Sequence, residues 1–444
     1  MNKNVLLISL GCDKNRIDAE IMAGLIENAG YTLTDELSDA DCVLINTCGF
    51  IDPAKQESLD VIFDMVREKE DSDTKLSAII VTGCLAQRYC KDLTAEIPEI
   101  DAVAGLGYNG KITEILGKVF AAEKFSGATA PEDLPICGKR FLSTPGHYAY
   151  LKIAEGCSNR CTYCAIPMIR GHYRSRPMNE IIEEANELIK GGVKELILVA
   201  QDTTVYGRDL GLDHGLSKLL KALTEIEGLW KVRLLYAYPD NIDSELIETI
   251  AASDKIAKYI DMPLQHASAQ VLKRMNRYGN AEVLKALVER IRARIPDITL
   301  RTTFMVGFPG ETEEQFDELV EFAKVCRFGR AGCFEFSSEE GTPASRLNDD
   351  VSAEEKQKRS EILMRTLNDL ITEERKTWVG KTVEAICDGF DEERSMYIFR
   401  SEHDSPDIDT VIYALGEAEP VPGDICRIRI LDCDEYDLFG QLLV

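Results

Sequence analysis

Three times within the first 84 residues a short apolar run ends at a cysteine, and the interval between these cysteines is 36 residues each time. Val5-Leu6-Leu7-Ile8-Ser9-Leu10-Gly11 leads to Cys12, Val43-Leu44-Ile45-Asn46-Thr47 to Cys48, and Ala78-Ile79-Ile80-Val81-Thr82-Gly83 to Cys84. Apolar runs of this length alternating with helical patterns predict parallel strands covered by helices. Parallel strands all end at one edge, so the three cysteines are expected together at the carboxyl edge of a single sheet, where open α/β folds gather their ligands. Three unrelated core cysteines are the plain alternative, since a free thiol packs well among apolar side chains. The threefold recurrence at strand ends argues against that. Three thiolates on a cubane that normally takes four would leave one iron open.

The same alternation organises most of the chain. Residues 1–125 read as an open parallel α/β domain, and residues 126–145 lose periodicity and gather Gly, Pro, Ser and Thr, as a linker does. Six more apolar runs follow within residues 146–350, at 149–156, 195–202, 232–239, 259–266, 298–307 and 331–338. That number predicts a partial or complete β/α barrel of the (β/α)6 type. Residues 351–376 form one charge-laced amphipathic connecting helix. Over residues 377–444 short alternating strands separated by Gly, Pro and Asp predict a small antiparallel β-barrel.

The loop after the first of the six runs carries Cys157, Cys161 and Cys164, spaced Cys-x3-Cys-x2-Cys. One loop can wrap three such thiolates around a single centre, and loops at the carboxyl ends of barrel strands are where these folds place their chemistry. An iron–sulfur cubane with an open iron is one occupant. A zinc ion completed by His147 or His172 is the other.

Composition limits the partners. No apolar run approaches the ~20 residues a bilayer span requires, and a net charge of −26 makes the chain a poor generic binder of polyanions. A basic partner suits it better. Fourteen cysteines in 444 residues are too few for a disulfide scaffold, which points to a reducing cytoplasmic location with thiols available to metals.

The segment Gly156-Cys157-Ser158-Asn159-Arg160-Cys161-Thr162-Tyr163-Cys164-Ala165-Ile166-Pro167 resembles the signature of radical S-adenosylmethionine (SAM) enzymes. In that family the three thiolates hold a [4Fe–4S] cluster whose open iron chelates SAM, and reduction releases a 5′-deoxyadenosyl radical. Gly11-Cys12-Asp13-Lys14-Asn15, Leu44-Ile45-Asn46-Thr47-Cys48 and Thr82-Gly83-Cys84-Leu85-Ala86-Gln87 resemble the three N-terminal cysteine motifs of the methylthiotransferases. The resemblance spans nearly the whole chain and implies an N-terminal cluster domain, a radical SAM core and a C-terminal TRAM barrel. It implies two [4Fe–4S] clusters, on Cys12, Cys48 and Cys84 and on Cys157, Cys161 and Cys164. It also implies SAM used both as methyl donor and as radical source, a reductase or flavodoxin-type electron donor, and a sulfide or persulfide source. No side chain is singled out as catalytic, because the radical arises at the SAM cluster.

Two branches of the family differ in substrate, a tRNA adenosine in one and the β-carbon of an aspartate in a small-subunit ribosomal protein in the other. Tyr236-Ala237-Tyr238-Pro239 and Met262-Pro263-Leu264-Gln265-His266-Ala267-Ser268 resemble the protein-modifying branch, while Asp13 stands where that branch usually has proline. The C-terminal module, with 16 acidic against five basic residues from Trp378 to Val444, has a net charge of −11 and suits a basic protein rather than tRNA. An iron–sulfur scaffold or redox carrier is a further, non-enzymatic reading, and it gives no reason for two incompletely ligated clusters.

Other features are ambiguous on sequence grounds. Gln265 and His266 are candidate SAM contacts at a strand end, while Gln201 and Asp202 are further strand-end polar groups facing the expected site, to which spacing assigns no role. Arg160, Arg170, Arg174 and Arg176 are cations near the cysteine loop that could meet a carboxylate of SAM or substrate. Gly105 to Lys111 nearly spells a phosphate loop but continues with Ile112 where a hydroxyl is needed. Gly307 to Thr312 reads either as a SAM-proximal motif or as a tight turn into a helix capped by Thr312.

Overall fold

The computed structural model describes residues 3–71, 73–130 and 140–443. Residues 131–139, including Cys137 and the middle of the expected linker, lie outside the described residues. The chain falls into two compact units. The first comprises the chain up to Ser143 together with residues 154–176 and 337–345. The second comprises residues 144–153, 177–336 and 346–444.

The first unit is built on six parallel strands, β1 (Asn4–Ser9), β2 (Thr32–Thr34), β3 (Cys42–Thr47), β4 (Ala78–Gly83), β5 (Ala102–Ala104) and β6 (Phe125–Gly127). Their spatial order is β2-β1-β3-β4-β5-β6, so the chain reverses its direction of winding between β1 and β3. Successive residues of a strand face opposite sides, and the core divides accordingly. Val43, Ile45, Ile79 and Val81 pack against helices α2 (Asp52–Glu70) and α3 (Cys84–Glu96). Cys42, Leu44, Ala78 and Ile80 pack on the other face against α1 (Asp13–Asn28) and α4 (Ile112–Phe120). Cys42 and Cys90 are ordinary members of these two cores. Phe125–Gly127, whose last two residues composition assigned to the start of the linker, pairs with β5 as an edge strand. Three residues are too few to reveal an alternating pattern.

In the second unit β7 (Tyr148–Lys152) is followed in the chain by the short β8 (Ala154–Glu155) and β9 (Arg174–Ser175), which pair with each other in the first unit. The sheet then continues with β10 (Glu195–Val199), β11 (Lys231–Leu234), β12 (Ile256–Asp261), β13 (Thr299–Val306) and β14 (Arg330–Glu335). The six long strands are parallel and lie in sequence order, β7-β10-β11-β12-β13-β14, which is the expected six-stranded β/α half-barrel. The connecting helix runs Ala353–Lys376 and starts at Ser352, whose side chain accepts from the Glu355 backbone N–H.

The C-terminal module is a closed barrel of β15 (Thr382–Asp391), β16 (Met396–Ser401), β17 (Ile412–Leu415), β18 (Ile425–Cys433) and β19 (Leu438–Leu443). It is not antiparallel throughout: β17 pairs with β19 in parallel. A ring of five strands cannot alternate direction all the way round, so closure demands one parallel pair. The module is anchored near the amino ends of the half-barrel strands by buried ion pairs. Glu195, at the start of β10, accepts from Arg233 Nε at 2.8 Å and from Arg400 Nη1 at 2.7 Å. Arg400 also binds Asp388, which meets His147 Nε2 at 2.7 Å. Asp404 pairs with Arg330, Asp407 accepts from Tyr150, and Asp409 accepts from Tyr259. With Glu384 on Trp230 and Glu402 on the Lys258 N–H, six of the module's 16 acidic residues bind the half-barrel. The charge left for a partner is correspondingly smaller than −11.

Candidate iron–sulfur site

The three N-terminal cysteines follow three adjacent strands, β1, β3 and β4, across the point where the winding reverses. What brings the loops together is a glycine beside each cysteine. Gly11 and Gly83 have φ of +89° and +96°, which side chains rarely adopt. A Cβ on Gly11 would stand 2.8 Å from Cys48 Cβ and 3.0 Å from its Sγ, and one on Gly83 would strike the Thr47 carbonyl oxygen. Gly49 adds a steric constraint alone. Its Cβ would lie 2.7 Å from both the backbone N and Cα of Leu85 and 2.9 Å from the carbonyl carbon of Cys84. The Cys48 and Cys84 loops therefore touch backbone to backbone, and the Cys12 loop rests at Gly11 on the Cys48 side chain. That cradle admits no side chain on the glycines, and the Cys12 and Cys48 sulfurs lie near enough to act electrostatically on the Cys84 thiol.

Hydrogen bonds hold the cradle. Asn15, fully buried on the first turn of α1, donates from Nδ2 to the carbonyls of Leu10 (3.0 Å) and Thr47 (2.9 Å). Its Oδ1 lies 3.4 Å from Cys84 Sγ, which donates to it. Ser58 accepts from the Cys48 N–H and donates to the Cys48 carbonyl. Cys12 is the N-cap of α1, and Cys84 is the first residue of α3. Both sulfurs thus stand where helix N-termini favour negative charge. Burial pushes the Cys84 thiol up to about 12 and raises that of Cys48 as well, with Arg170 opposing both shifts. A buried thiol of this kind ionises only when a strong cation takes the proton's place, as a metal centre does. No disulfide joins any described cysteine.

The second triad belongs to the same compact unit. Cys157, Cys161 and Cys164 are half-buried, the Cys157 N–H donates to the Gly171 carbonyl, and the Cys164 N–H donates to that of Cys161. Helix α5 (Ile166–Arg170) follows, with Ala165 and Ile169 packed against Cys84 and Leu106. A strap at residues 337–345 crosses the unit. Its buried Glu339 accepts from Arg88 (2.8 Å) and Lys55 (2.9 Å), Arg88 also donates to the Gly49 carbonyl, and the Ala344 N–H donates to the Thr162 carbonyl. Among the described residues no three His, Cys, Asp or Glu side chains converge on a single-ion site. A cubane takes one thiolate at each of three corners and so suits donors spread more widely than around one ion.

The other candidates fall in several places. Both ring nitrogens of His147 are engaged, by Asp388 and by the Pro145 carbonyl, so it is not free to complete a zinc site, and His172 is exposed. Arg170 does not stand at a surface to meet a ligand's carboxylate; it is 1% exposed and its guanidinium is bound by Glu155, Asn15 and Asp18. Arg176 is also buried, while Arg160 adopts a left-handed conformation within the cysteine loop. In the second unit His266 is wholly enclosed: its Nδ1 accepts from the Ser268 N–H, and its Nε2 lies 3.6 Å from Glu311. Gln265 is half-buried with φ +71°. Asp202 is buried and accepts from the Thr204 N–H. Thr312 is the N-cap in a full capping box with Gln315, and Glu311 accepts from the N–H groups of Gly307 and Phe308, so this motif holds its own turn. Gly107 is packed against Thr129, and the near-phosphate loop is a 3-10 turn over Leu106–Lys111. Sequence reasoning passed over Asp18, Ser58, Arg88, Glu155 and Glu339. Only Asn15 and Asp18 carry a local signal, polar residues three apart on the buried side of α1.

Comparison with known proteins places this arrangement. Residues 151–323 match the Radical SAM superfamily, residues 4–105 the family described as Uncharacterized protein family UPF0004, and residues 379–443 the TRAM domain. The chain is 46% identical over 442 residues to the ribosomal protein uS12 methylthiotransferase RimO of Thermoanaerobacter sp. (strain X514), covering 99% of this chain and 100% of the relative. It is 45% identical to the protein of the same name from Clostridioides difficile (strain 630), covering 99% and 98%. In fold it is similar to the cobalamin-dependent SAM radical enzyme OxsB, with TM-score 0.52 and 14% identity over 84% of this chain and 56% of that one. It is similar also to the radical SAM methyltransferase TsrM from Kitasatospora setae, with TM-score 0.50 and 15% identity over 78% and 77%.

Proposed function

This chain belongs to the RimO family of radical SAM methylthiotransferases, and from that premise we propose that it attaches a methylthio group to the β-carbon of an aspartate in the ribosomal protein uS12. The observation that carries the reading is the pair of cysteine triads held within one compact unit. Cys157, Cys161 and Cys164 hold a [4Fe–4S] cluster that binds SAM, and Cys12, Cys48 and Cys84 hold a second. When bound, these groups supply a carbon-centred radical from one SAM and a methylated sulfur from another.

The rest is the work of the chain's own side chains. The glycine cradle sets the spacing of the first three sulfurs, Asn15 orients Cys84, and Ser58 pins the backbone of Cys48. The strap, through Glu339, Arg88 and the Thr162 carbonyl, fixes the second cysteine loop within the same unit. Ten acidic residues of the C-terminal module that do not bind the half-barrel, among them Asp432, Asp434 and Glu435, favour a basic protein partner over tRNA. In this reading the functional segments are residues 1–125, 146–350 and 377–444. The electron donor is a reductase or flavodoxin-type protein, and sulfide or a persulfide restores the sulfur.

The test is anaerobic incubation with SAM, reductant, sulfide and either uS12 or tRNA, followed by mass spectrometry. Methylthio mass added at an aspartate of uS12 is the expected result. Methylthiolated adenosine in tRNA, with unmodified uS12, would move the chain's activity to the other branch.

A further inference from the structure

The buried ion network around Arg170 ties the two triads to each other. Arg170 Nη1 donates to both carboxylate oxygens of Glu155, each at 3.1 Å. Glu155 stands two residues before Cys157 and Arg170 six after Cys164, so this pair closes the whole cysteine loop at its base. The other nitrogen, Nη2, reaches α1, donating to Asn15 Oδ1 at 2.7 Å and Asp18 Oδ2 at 2.9 Å. Asn15 in turn holds the carbonyls of Leu10 and Thr47, which precede Cys12 and Cys48, and lies against the sulfur of Cys84. One guanidinium therefore connects the base of one triad to the residue that gathers all three loops of the other. Glu155, Asp18 and Asn15 are all buried.

We propose that Arg170 is a positioning residue shared by the two triads: its planar fork sets the placement of the SAM-cluster loop against the N-terminal cysteine cradle, and its positive charge offsets the charge of the centre held in that cradle. This rests on the reading that both triads hold iron–sulfur clusters. A planar fork can serve Glu155, Asn15 and Asp18 together, and the single ammonium of a lysine cannot. A cation buried beside a cluster stabilises its more negative, reduced form, since net charge and hydrogen bonding to sulfur set such potentials. Fork and charge thus make separable contributions. Burial disfavours the Arg170 charge, and the carboxylates of Glu155 and Asp18 hold it in place.

The experiment uses the full chain in two backgrounds. With Cys157, Cys161 and Cys164 replaced by alanine, only the N-terminal cluster remains, and its midpoint potential is read by redox titration with electron paramagnetic resonance. Arg170→Gln should shift that midpoint to a more negative value, and Arg170→Lys should leave it near the parent's. In the otherwise intact enzyme Arg170→Lys should lower methylthio product per 5′-deoxyadenosine at least threefold, because SAM is still cleaved while the loop is no longer held. Parental potential in Arg170→Gln overturns the proposal. If Arg170→Gln takes up no cluster, Arg170→Lys decides: a parental product ratio overturns it, and a reduced ratio supports it. A parent triple variant that holds no iron at all would overturn instead the reading that the N-terminal triad binds a cluster, and this proposal with it.

Discussion

Gly49→Ala tests the cradle with the smallest change the structure permits. The added Cβ would stand 2.7 Å from the Leu85 N and Cα and 2.9 Å from the Cys84 carbonyl carbon. Carbon atoms rest at about 3.5–4.0 Å, so the Cys48 loop must withdraw from the Cys84 loop by about 1 Å. All three obstacles are backbone, which cannot rotate aside as a side chain does. Overpacking of this kind costs about 1–3 kcal/mol, against a domain stability of about 5–15 kcal/mol, so the variant should fold. What it should lose is the spacing of the sulfurs. After anaerobic reconstitution the parent should carry about eight irons and eight sulfides, as two cubanes would, and Gly49→Ala about four of each. Its cleavage of SAM to 5′-deoxyadenosine should persist, because the barrel loop is untouched. Gly117→Ala is the control, since nothing lies within 4 Å of its new Cβ and a helical alanine is the better residue. Eight irons and full methylthio transfer in Gly49→Ala would refute the cradle argument.

Three other outcomes follow from the same structure. Replacing Cys12, Cys48 and Cys84 by alanine should leave 5′-deoxyadenosine formation intact and abolish methylthio transfer; product at the parental yield by mass spectrometry would refute the division of labour. Arg330 outweighs burial and holds the Asp404 carboxyl at about 2, against 3.8 in an ordinary environment. The unfolded chain therefore binds that proton first, so the pair contributes about 2 kcal/mol above pH ~4 and loses it as pH falls towards 2. Urea unfolding of the parent should weaken over that range more steeply than that of Asp404→Asn, and parallel profiles would show that the pair does not matter. Reversing Asp432, Asp434 and Glu435 to lysine should weaken binding of uS12 in low salt and leave iron content unchanged. Undiminished binding in a pull-down titration would remove the module from substrate recognition.

The strand-ending cysteines, the Cys-x3-Cys-x2-Cys loop, the six half-barrel strands and the connecting helix were all legible in the sequence. Each is written in local periodicity, spacing or capping, which need no knowledge of distant residues. Long buried strands such as β3 and β4 are continuous apolar runs, whereas the three-residue β6 leaves no pattern to read. The parallel closure between β17 and β19 is a property of a five-membered ring as a whole, so no single strand announces it. The charge of the C-terminal module was countable, but which six acids face inward depends on distant partners, as Asp407 and Tyr150, 257 residues apart, illustrate. The same limit governs the cysteine site. That Cys12, Cys48 and Cys84 share an edge follows from their each ending an apolar strand of one parallel sheet. That Gly49 presses on Leu85, and that Arg170 reaches back 155 residues to Asn15, is decided only when the loops pack. A buried guanidinium needs several partners at once, and those partners come from wherever the tertiary fold brings carboxylates and amides into reach.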